Sequence, residues 1–369
     1  GAGNLTIEEM KEGTAFAHER GKRCYLTVNI FAHNEDIDPL TEYLQKIREV
    51  DIDGFIVSDP GVIDLIREII PDAEIHLSTQ ANMTNFRTAG FWYKMGVKRL
   101  VLARELTFSE IRQIRDNIPE DMELEAFVHG AMCISYSGRC LLSNFMIERD
   151  ANRGMCAHPC RWKYSLVEEK RPGEYYPVEE DERGTYILNS RDLCMIEYIP
   201  EMMEAGIDSF KIEGRMKTAL YVATVARTYR KAIDDYMESE EKYRANMEYY
   251  KREIAKCTYR QFTTGFYFGK TDSESQIYDS NTYVKNYTYI GTVREVTPDG
   301  CVCFEQKNKF LVGEKLEAMG FDGTNIECEV QAIYDEKENS MDSAPHPKQK
   351  LRVKLDKELE TGIILRRKE

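Results

Sequence analysis

The first half of the chain repeats one short unit, and this limits the folds open to it more than any other feature. An apolar run rich in β-branched residues is followed, again and again, by an amphipathic stretch. Candidate strands cover residues 24–30, 54–57, 74–77, 99–103, 123–128 and 209–212, with helical patterns at 39–50, 62–70, 84–95 and 107–117. Alternation at this spacing implies βαβ units feeding a parallel sheet. No glycine-rich phosphate loop follows any strand, which argues against a doubly wound nucleotide-binding sheet. The expected class is therefore α/β, a TIM-like (β/α)8 barrel. Six strands are visible where eight are needed, so the chain is expected to begin inside the barrel. Ahead of the first strand, Asn4 or Thr6 is placed to cap a helix carrying Glu8 and Glu9 in its first turn.

The runs end in polar residues: Asn29, Ser58-Asp59-Pro60, Ser78-Thr79-Gln80, Arg104-Glu105, His129-Gly130 and Glu213-Gly214-Arg215. In a barrel these ends form the active face, because the βα loops carry the chemistry. Polar ends also arise simply because a strand must leave the core.

The barrel is expected over residues 1–256, with a cysteine-rich insertion at about 131–194 that includes the polar stretch 168–183. Residues 216–256 carry an apolar stripe of Leu220, Val225, Tyr229, Ile233 and Tyr236, read as the last barrel helix extended. An aromatic connector, 257–286, leads to short alternating strands broken by Gly and Asp turns. Residues 287–369 should thus fold as a small β-barrel domain.

A formal charge of −14 opposes any general electrostatic grip on nucleic acid. Two basic stretches run against that trend. Residues 139–163 hold five basic and two acidic residues, and the tail from Lys348 holds eight and four. Either is a solvated surface or an RNA-docking face, the latter expected of Lys348–Lys354 with Arg366, Arg367 and Lys368. No apolar run approaches the ~20 residues of a membrane span, and no signal segment opens the chain. The expected location is cytoplasmic, with no membrane partner.

Of ten cysteines, five (Cys133, Cys140, Cys156, Cys160 and Cys194) fall in about a sixth of the chain. In a reducing compartment such crowding points to metal binding or thiol chemistry. Their spacing does not match the paired knuckles of a zinc ribbon, whereas thiolates gathered from separate loops suit an iron–sulfur cluster. His129 and His158 are candidates for base or ligand, or for a structural hydrogen bond.

The stretch from Glu123 through Glu125, His129-Gly130, Cys133, Ser137-Gly138 and Cys140 to Ser143 resembles the signature of peptidase family U32, the collagenase-like proteases. So do Arg149-Asp-Ala-Asn152-Arg153-Gly154-Met-Cys156-Ala-His-Pro159-Cys160-Arg161, Asn189-Ser190-Arg191-Asp192-Leu193-Cys194 and Phe210-Lys211-Ile-Glu213-Gly214-Arg215. Ser78-Thr79-Gln80 and Ala344-Pro345-His346-Pro347 extend the likeness over nearly the whole chain. The resemblance implies the branch of the family that hydroxylates tRNA wobble uridine to 5-hydroxyuridine using prephenate. It also implies a 4Fe–4S cluster on Cys133, Cys140, Cys156 and Cys194, with Cys160 as an alternate ligand. Prephenate is a dicarboxylate, so arginine forks should hold it. Gln80, Arg104, Arg153 and Arg191 are the substrate-binding candidates, and His129, Glu125 and Arg215 the catalytic ones. Arg215 has Glu213 as an obvious alternative partner. The family name implies a peptidase instead, with Cys133 and His129 as a possible nucleophile and base, but neither Gly-x-Ser-x-Gly nor His-Glu-x-x-His is present. A third reading is a non-catalytic cluster carrier that needs a partner subunit.

Overall fold

Short β-branched runs bounded by capped helices do form the expected units. The computed structural model describes residues 5–133, 135–136, 139–161, 165–166, 176–177, 189–215, 217–257, 259, 261–269, 276–277 and 286–369. The polar stretch 168–183, apart from 176–177, and most of the connector after residue 269 lie outside the described residues. The chain divides into two compact units, Gly1–Met216 with Gln261–Asn281, and Lys217–Arg260 with Thr282–Glu369.

In the first unit, helix α1 (Ile7–His18) is capped by Thr6, whose partner in the capping box is Glu9. Strands β1 (Tyr25–Val28), β2 (Gly54–Val57), β3 (Ile75–Leu77), β4 (Arg99–Val101) and β5 (Glu123–Ala131) pair in parallel in sequence order. Helices α2 (Asn34–Ile47), α3 (Pro60–Ile69), α4 (Phe86–Lys94) and α5 (Phe108–Arg115) connect them. Asp59, Asn85 and Thr107 cap the last three through side-chain oxygens. Helix α2 starts five residues before Pro39, because the Asp36 carboxylate accepts from the His33 backbone N–H and fixes the entry there. The helices bury Leu44, Ile47, Val62, Ile66, Ile111 and Ile114, and the strands bury Val57, Leu77, Leu100 and Val128. Each such side chain contributes about 1.5–3 kcal/mol.

After β5 come α6 (Leu142–Ile147), β6 (Asp192–Cys194), α7 (Ile199–Glu204), β7 (Ser209–Ile212) and β8 (Phe262–Thr263). Strand β7 is the sixth parallel strand, on β5. Strand β6 lies antiparallel to the end of β5, and β8 is parallel to β6. Among the described residues no pairing joins β1 to β7, so the unit is a mixed α/β sheet with an open path; the expected barrel, with N-terminal strands missing, is borne out as far as its parallel βα units. Neither β6 nor β8 was legible, since each is only two or three residues long.

The second compact unit begins at residue 217, inside the stretch expected to close the first domain at 256. Its helices α8 (Ala219–Glu238), α9 (Glu240–Ala245) and α10 (Met247–Ile254) group with the C-terminal strands, not with the parallel sheet. Those strands are β9 (Tyr287–Thr292), β10 (Val302–Glu305), β11 (Lys315–Met319), β12 (Asn325–Tyr334), β13 (Lys350–Leu355) and β14 (Ile364–Lys368). They pair antiparallel in the order β9-β14-β11-β12-β13-β10. The first half of β12 pairs β11 and its second half pairs β13, around a core including Ile290, Phe304, Leu316, Val330, Val353 and Leu365. Helix and sheet are tied by a buried ion network. Arg366, 0% exposed, donates to Glu253 at 2.8 Å, and Arg227 and Lys256 reach the same carboxylate at 2.6 and 2.7 Å. Burial alone would raise the Glu253 carboxyl; the surrounding cations outweigh it and hold it at about 2. Separating the helices would expose unpaired charge, which costs several kcal/mol.

The same contacts remove much of the expected RNA-docking tail. Arg366 is buried, Arg352 is paired with Asp299 and Glu338, and Arg367 with Glu314 and Glu369. Among the described residues no helix is long and apolar enough to cross a membrane.

Candidate functional site at the strand ends

Alternation along β5 puts Glu123, Glu125, Phe127 and His129 on one side, and these four divide the strand into layers. At its start, Arg99 pairs with Glu123 at 2.6 Å and with Glu125 at 3.2 Å. Glu125 also accepts from Lys211 at 2.5 Å and from Ser209 at 2.8 Å. Its burial favours the neutral acid, but Lys211, Ser209 and Arg99 together pull the carboxyl below its ordinary value. Four residues of strand separate it from His129, or about 13 Å, too far to share one substrate proton. Glu125, expected among the catalytic residues, is thus engaged in an ion-pair layer with Arg99 and Lys211.

At the strand C-termini, short polar contacts replace ion pairs. The Asn29 amide donates to Ser78 Oγ at 3.0 Å, and Ser58 Oγ donates to the Asn29 carbonyl at 3.0 Å. Ser78 caps the 3-10 turn that carries Gln80. Buried Asn152 bridges this layer to the cysteine-bearing segment. Its Oδ1 accepts from the Phe31 N–H at 2.6 Å and its Nδ2 donates to Gln80 Oε1 at 2.6 Å. Gln80, expected to bind substrate, thus holds the loop. Arg153 is likewise engaged, forked onto Asp36 at 3.0 and 2.7 Å, and Asp36 is held at about 2 mainly by that fork. Neither clamp had a periodic signal; Asn152 stood in the motif with no role attached.

His129 is buried beside the Phe262 ring, 5.6 Å between centroids, and sits opposite Cys194 in the β5–β6 pair. Gly130 follows at φ +124°, and a Cβ there would meet the Glu213 carbonyl at 2.8 Å, so only glycine lets β7 close on β5. Glu213 faces the Ala131 N–H at 3.4 Å, while Arg215 lies against Gly154. Arg104 lies 3.8 Å over the Phe127 ring and donates Nη1 to the Ala131 carbonyl at 2.7 Å. Burial works against its charge, and Glu213, Cys133 and Glu105 work for it. Among the described residues, the buried Nε atoms of Arg104 and Arg191 have no hydrogen-bond partner. An unsatisfied guanidinium edge is costly unless an anion meets it.

All five clustered cysteines are free thiols. Cys133 has exposed surface, yet enough protein surrounds it for desolvation to push its thiol up; Cys140 and Cys156 push it further, against Arg104 and the Ser135 N–H. Three of the four expected ligands therefore feel one another. The His158 N–H donates to Cys156 Sγ at 3.3 Å, the kind of bond that steadies a ligating sulfur. Among the described residues no three His, Cys, Asp or Glu side chains are grouped to hold a single metal ion. Thiolates gathered from separate loops are the donor type that iron–sulfur clusters use.

Parallel βα units whose strand ends meet a thiol-rich segment, followed by an antiparallel β unit, define a two-unit α/β protein with a polar, sulfur-lined site. Residues 1–277 match peptidase family U32 and residues 285–366 match the C-terminal domain of that family, and the chain belongs to it. It is 41% identical to tRNA hydroxylation protein P1 of Bacillus subtilis (strain 168), over 99% of this chain and 86% of that protein. Identity to tRNA hydroxylation protein P of Escherichia coli (strain K12) is 36%, over 97% and 86%. A collagenase of Porphyromonas gingivalis is 34% identical, over 86% and 78%.

Proposed function

We propose that the chain is a tRNA-modifying enzyme that hydroxylates wobble uridine to 5-hydroxyuridine, with prephenate as co-substrate. The observation that carries the reading is the pair of unsatisfied guanidinium edges, Arg104 and Arg191, beside His129 and the cysteines. Similarity to proteins named for tRNA hydroxylation over almost the whole chain supports it. Arg104 is fixed by the Ala131 carbonyl and the Phe127 face, which leaves its Nε edge to grip one carboxylate. Arg191, two residues before Leu193, serves the second. His129 stands at the same strand end to hold or pass a proton. Cys133, Cys140, Cys156 and Cys194, with Cys160 as alternate, would hold a 4Fe–4S cluster, which supplies electron-transfer or Lewis-acid chemistry there.

The rival reading is a peptidase built on Cys133 and His129, as the family's name implies. The test is expression in a strain lacking its own tRNA hydroxylation proteins, with 5-hydroxyuridine quantified in purified tRNA. Restored modification supports the reading. Unmodified tRNA together with gelatin cleavage that Cys133→Ala abolishes establishes the peptidase. Modification that appears only when another subunit is added makes the chain a cluster-carrying scaffold.

A further inference from the structure

The segment that carries Cys140 and Cys156 has an outer side that the site chemistry does not use. Helix α6 and its flanks expose Phe145 at 87%, Leu141 at 74% and Tyr136 at 47%, with Met146 and Met155 also exposed. Soluble chains rarely leave this much apolar and aromatic surface on one short stretch without a partner. Arg139 and Arg149 are exposed beside it, and among the described residues neither has a carboxylate within ion-pair distance. On a chain of charge −14 these cations lack a carboxylate partner, with Arg139 lying 5.1 Å over the Phe31 ring, whereas Arg352, Arg366 and Arg367 of the basic tail are ion-paired.

The segment is also held in a defined shape. Asn152 ties it to Phe31 and Gln80 at the strand ends, and Ser143 Oγ accepts from the Ala157 N–H at 3.2 Å. Two of the five non-glycine residues with left-handed backbone among the described residues, Glu148 and His158, bracket its second half. Such conformations persist only where surrounding structure enforces them, often at ligand sites. Glu148 ends α6 immediately after the turn that presents Phe145.

We propose that Phe145 and Tyr136, with Arg139 and Arg149, form the platform on which unpaired bases of the RNA substrate stack beside the reaction centre. This rests on the tRNA reading above. Aromatic faces alternating with unpaired arginines suit single-stranded nucleotides: rings take the base π-faces, and guanidiniums take the phosphates. A protein partner would want the apolar surface without the free cations.

The experiment measures binding of a labelled anticodon stem-loop, by fluorescence anisotropy, to the full chain purified anaerobically. Melting curves confirm that each variant is folded. Phe145→Ala should weaken binding roughly tenfold, within the range for losing one base–aromatic stack. Phe145→Trp, which keeps a π-face, should restore it. Arg149→Ala should lower the slope of log affinity against log salt by about one phosphate contact. Wild-type affinity in folded Phe145→Ala, with tight binding by wild type, overturns the platform and leaves the tRNA reading standing. No binding by wild type overturns both. Loss of self-association in Phe145→Ala with RNA affinity unchanged assigns the surface to a second copy and also overturns the proposal.

Discussion

Removing the Asn152 side chain should loosen the cysteine-bearing segment without unfolding the sheet. Asn152→Ala deletes two hydrogen bonds of 2.6 Å and leaves the Phe31 N–H and Gln80 Oε1 without partners. A part-buried polar group left unpaired costs about 1–2 kcal/mol, the lower part of the usual range, so the two together are worth about 2–4 kcal/mol. That sum falls on local opening of residues 139–157, because the parallel strands do not depend on either bond. At 1.4 kcal/mol per decade, the opening equilibrium should rise roughly 30- to 900-fold. Hydrogen exchange reads this directly at the amides of Phe145, Glu148, Gly154 and Met155, which bond to the carbonyls of Leu141, Asn144, Ala151 and Asp150. Asn152→Asp should be milder, since its carboxylate still accepts from Phe31 and the Gln80 amide can flip to donate. Unchanged exchange at these four amides in a folded Asn152→Ala protein would refute the clamp.

Glu253 is held at about 2 against an ordinary 4.5, so its contribution is present above about pH 4.5 and is lost as pH falls toward 2. The shift corresponds to about 3 kcal/mol. Glu253→Gln should lose stability of that order at pH 7 and flatten the acid limb of urea unfolding; an unaltered acid limb would count against the network. Arg104→Lys keeps the charge but loses the fork, and should abolish most 5-hydroxyuridine formation with normal melting; full activity would remove Arg104 from the carboxylate grip. Glu125→Gln should lower thermal stability while activity per folded molecule survives; a folded but inactive variant would return Glu125 to the reaction. Iron and sulfide assays after anaerobic purification should show both in wild type and neither in Cys133→Ala.

What the sequence disclosed follows from which signals are periodic. The strand at 54–57 and the helix cap at Thr6 were legible because burial and capping leave a local pattern. The pairing of β6 with the end of β5 was not, since three residues carry no period and the partner is about 60 positions away. The grouping of residues 217–260 with the C-terminal strands was hidden for the same reason. The apolar stripe of α8 shows that the helix is buried, but not against which sheet; that is decided by Arg366, whose charge looked like surface. The contacts of Arg153 with Asp36 and of Gln80 with Asn152 were not legible either, because those partners meet them only in three dimensions.

The layering along β5 explains why the chemistry sits where it does. Glu123 and Glu125, with Arg99 and Lys211, satisfy one another at the strand start, so that end offers a ligand no unpaired group of theirs. Phe127 then interposes an aromatic plate, touched from above by Arg104. Beyond it the balance fails: Arg104 Nε is buried and unmet, and burial, with Cys140 and Cys156 nearby, pushes the Cys133 thiol up. Among the described residues, buried polar atoms without a hydrogen-bond partner occur at the first end too, His76 Nδ1 and Tyr25 Oη near Arg99, but the unmet guanidinium edge of Arg104 and the thiols lie at the second. Gly130 secures that arrangement, since any side chain there would push β7, and Glu213 with it, away from Arg104. That second end is therefore a property of the backbone as much as of the side chains, and it is the end over which the Phe145 surface is pinned by Asn152.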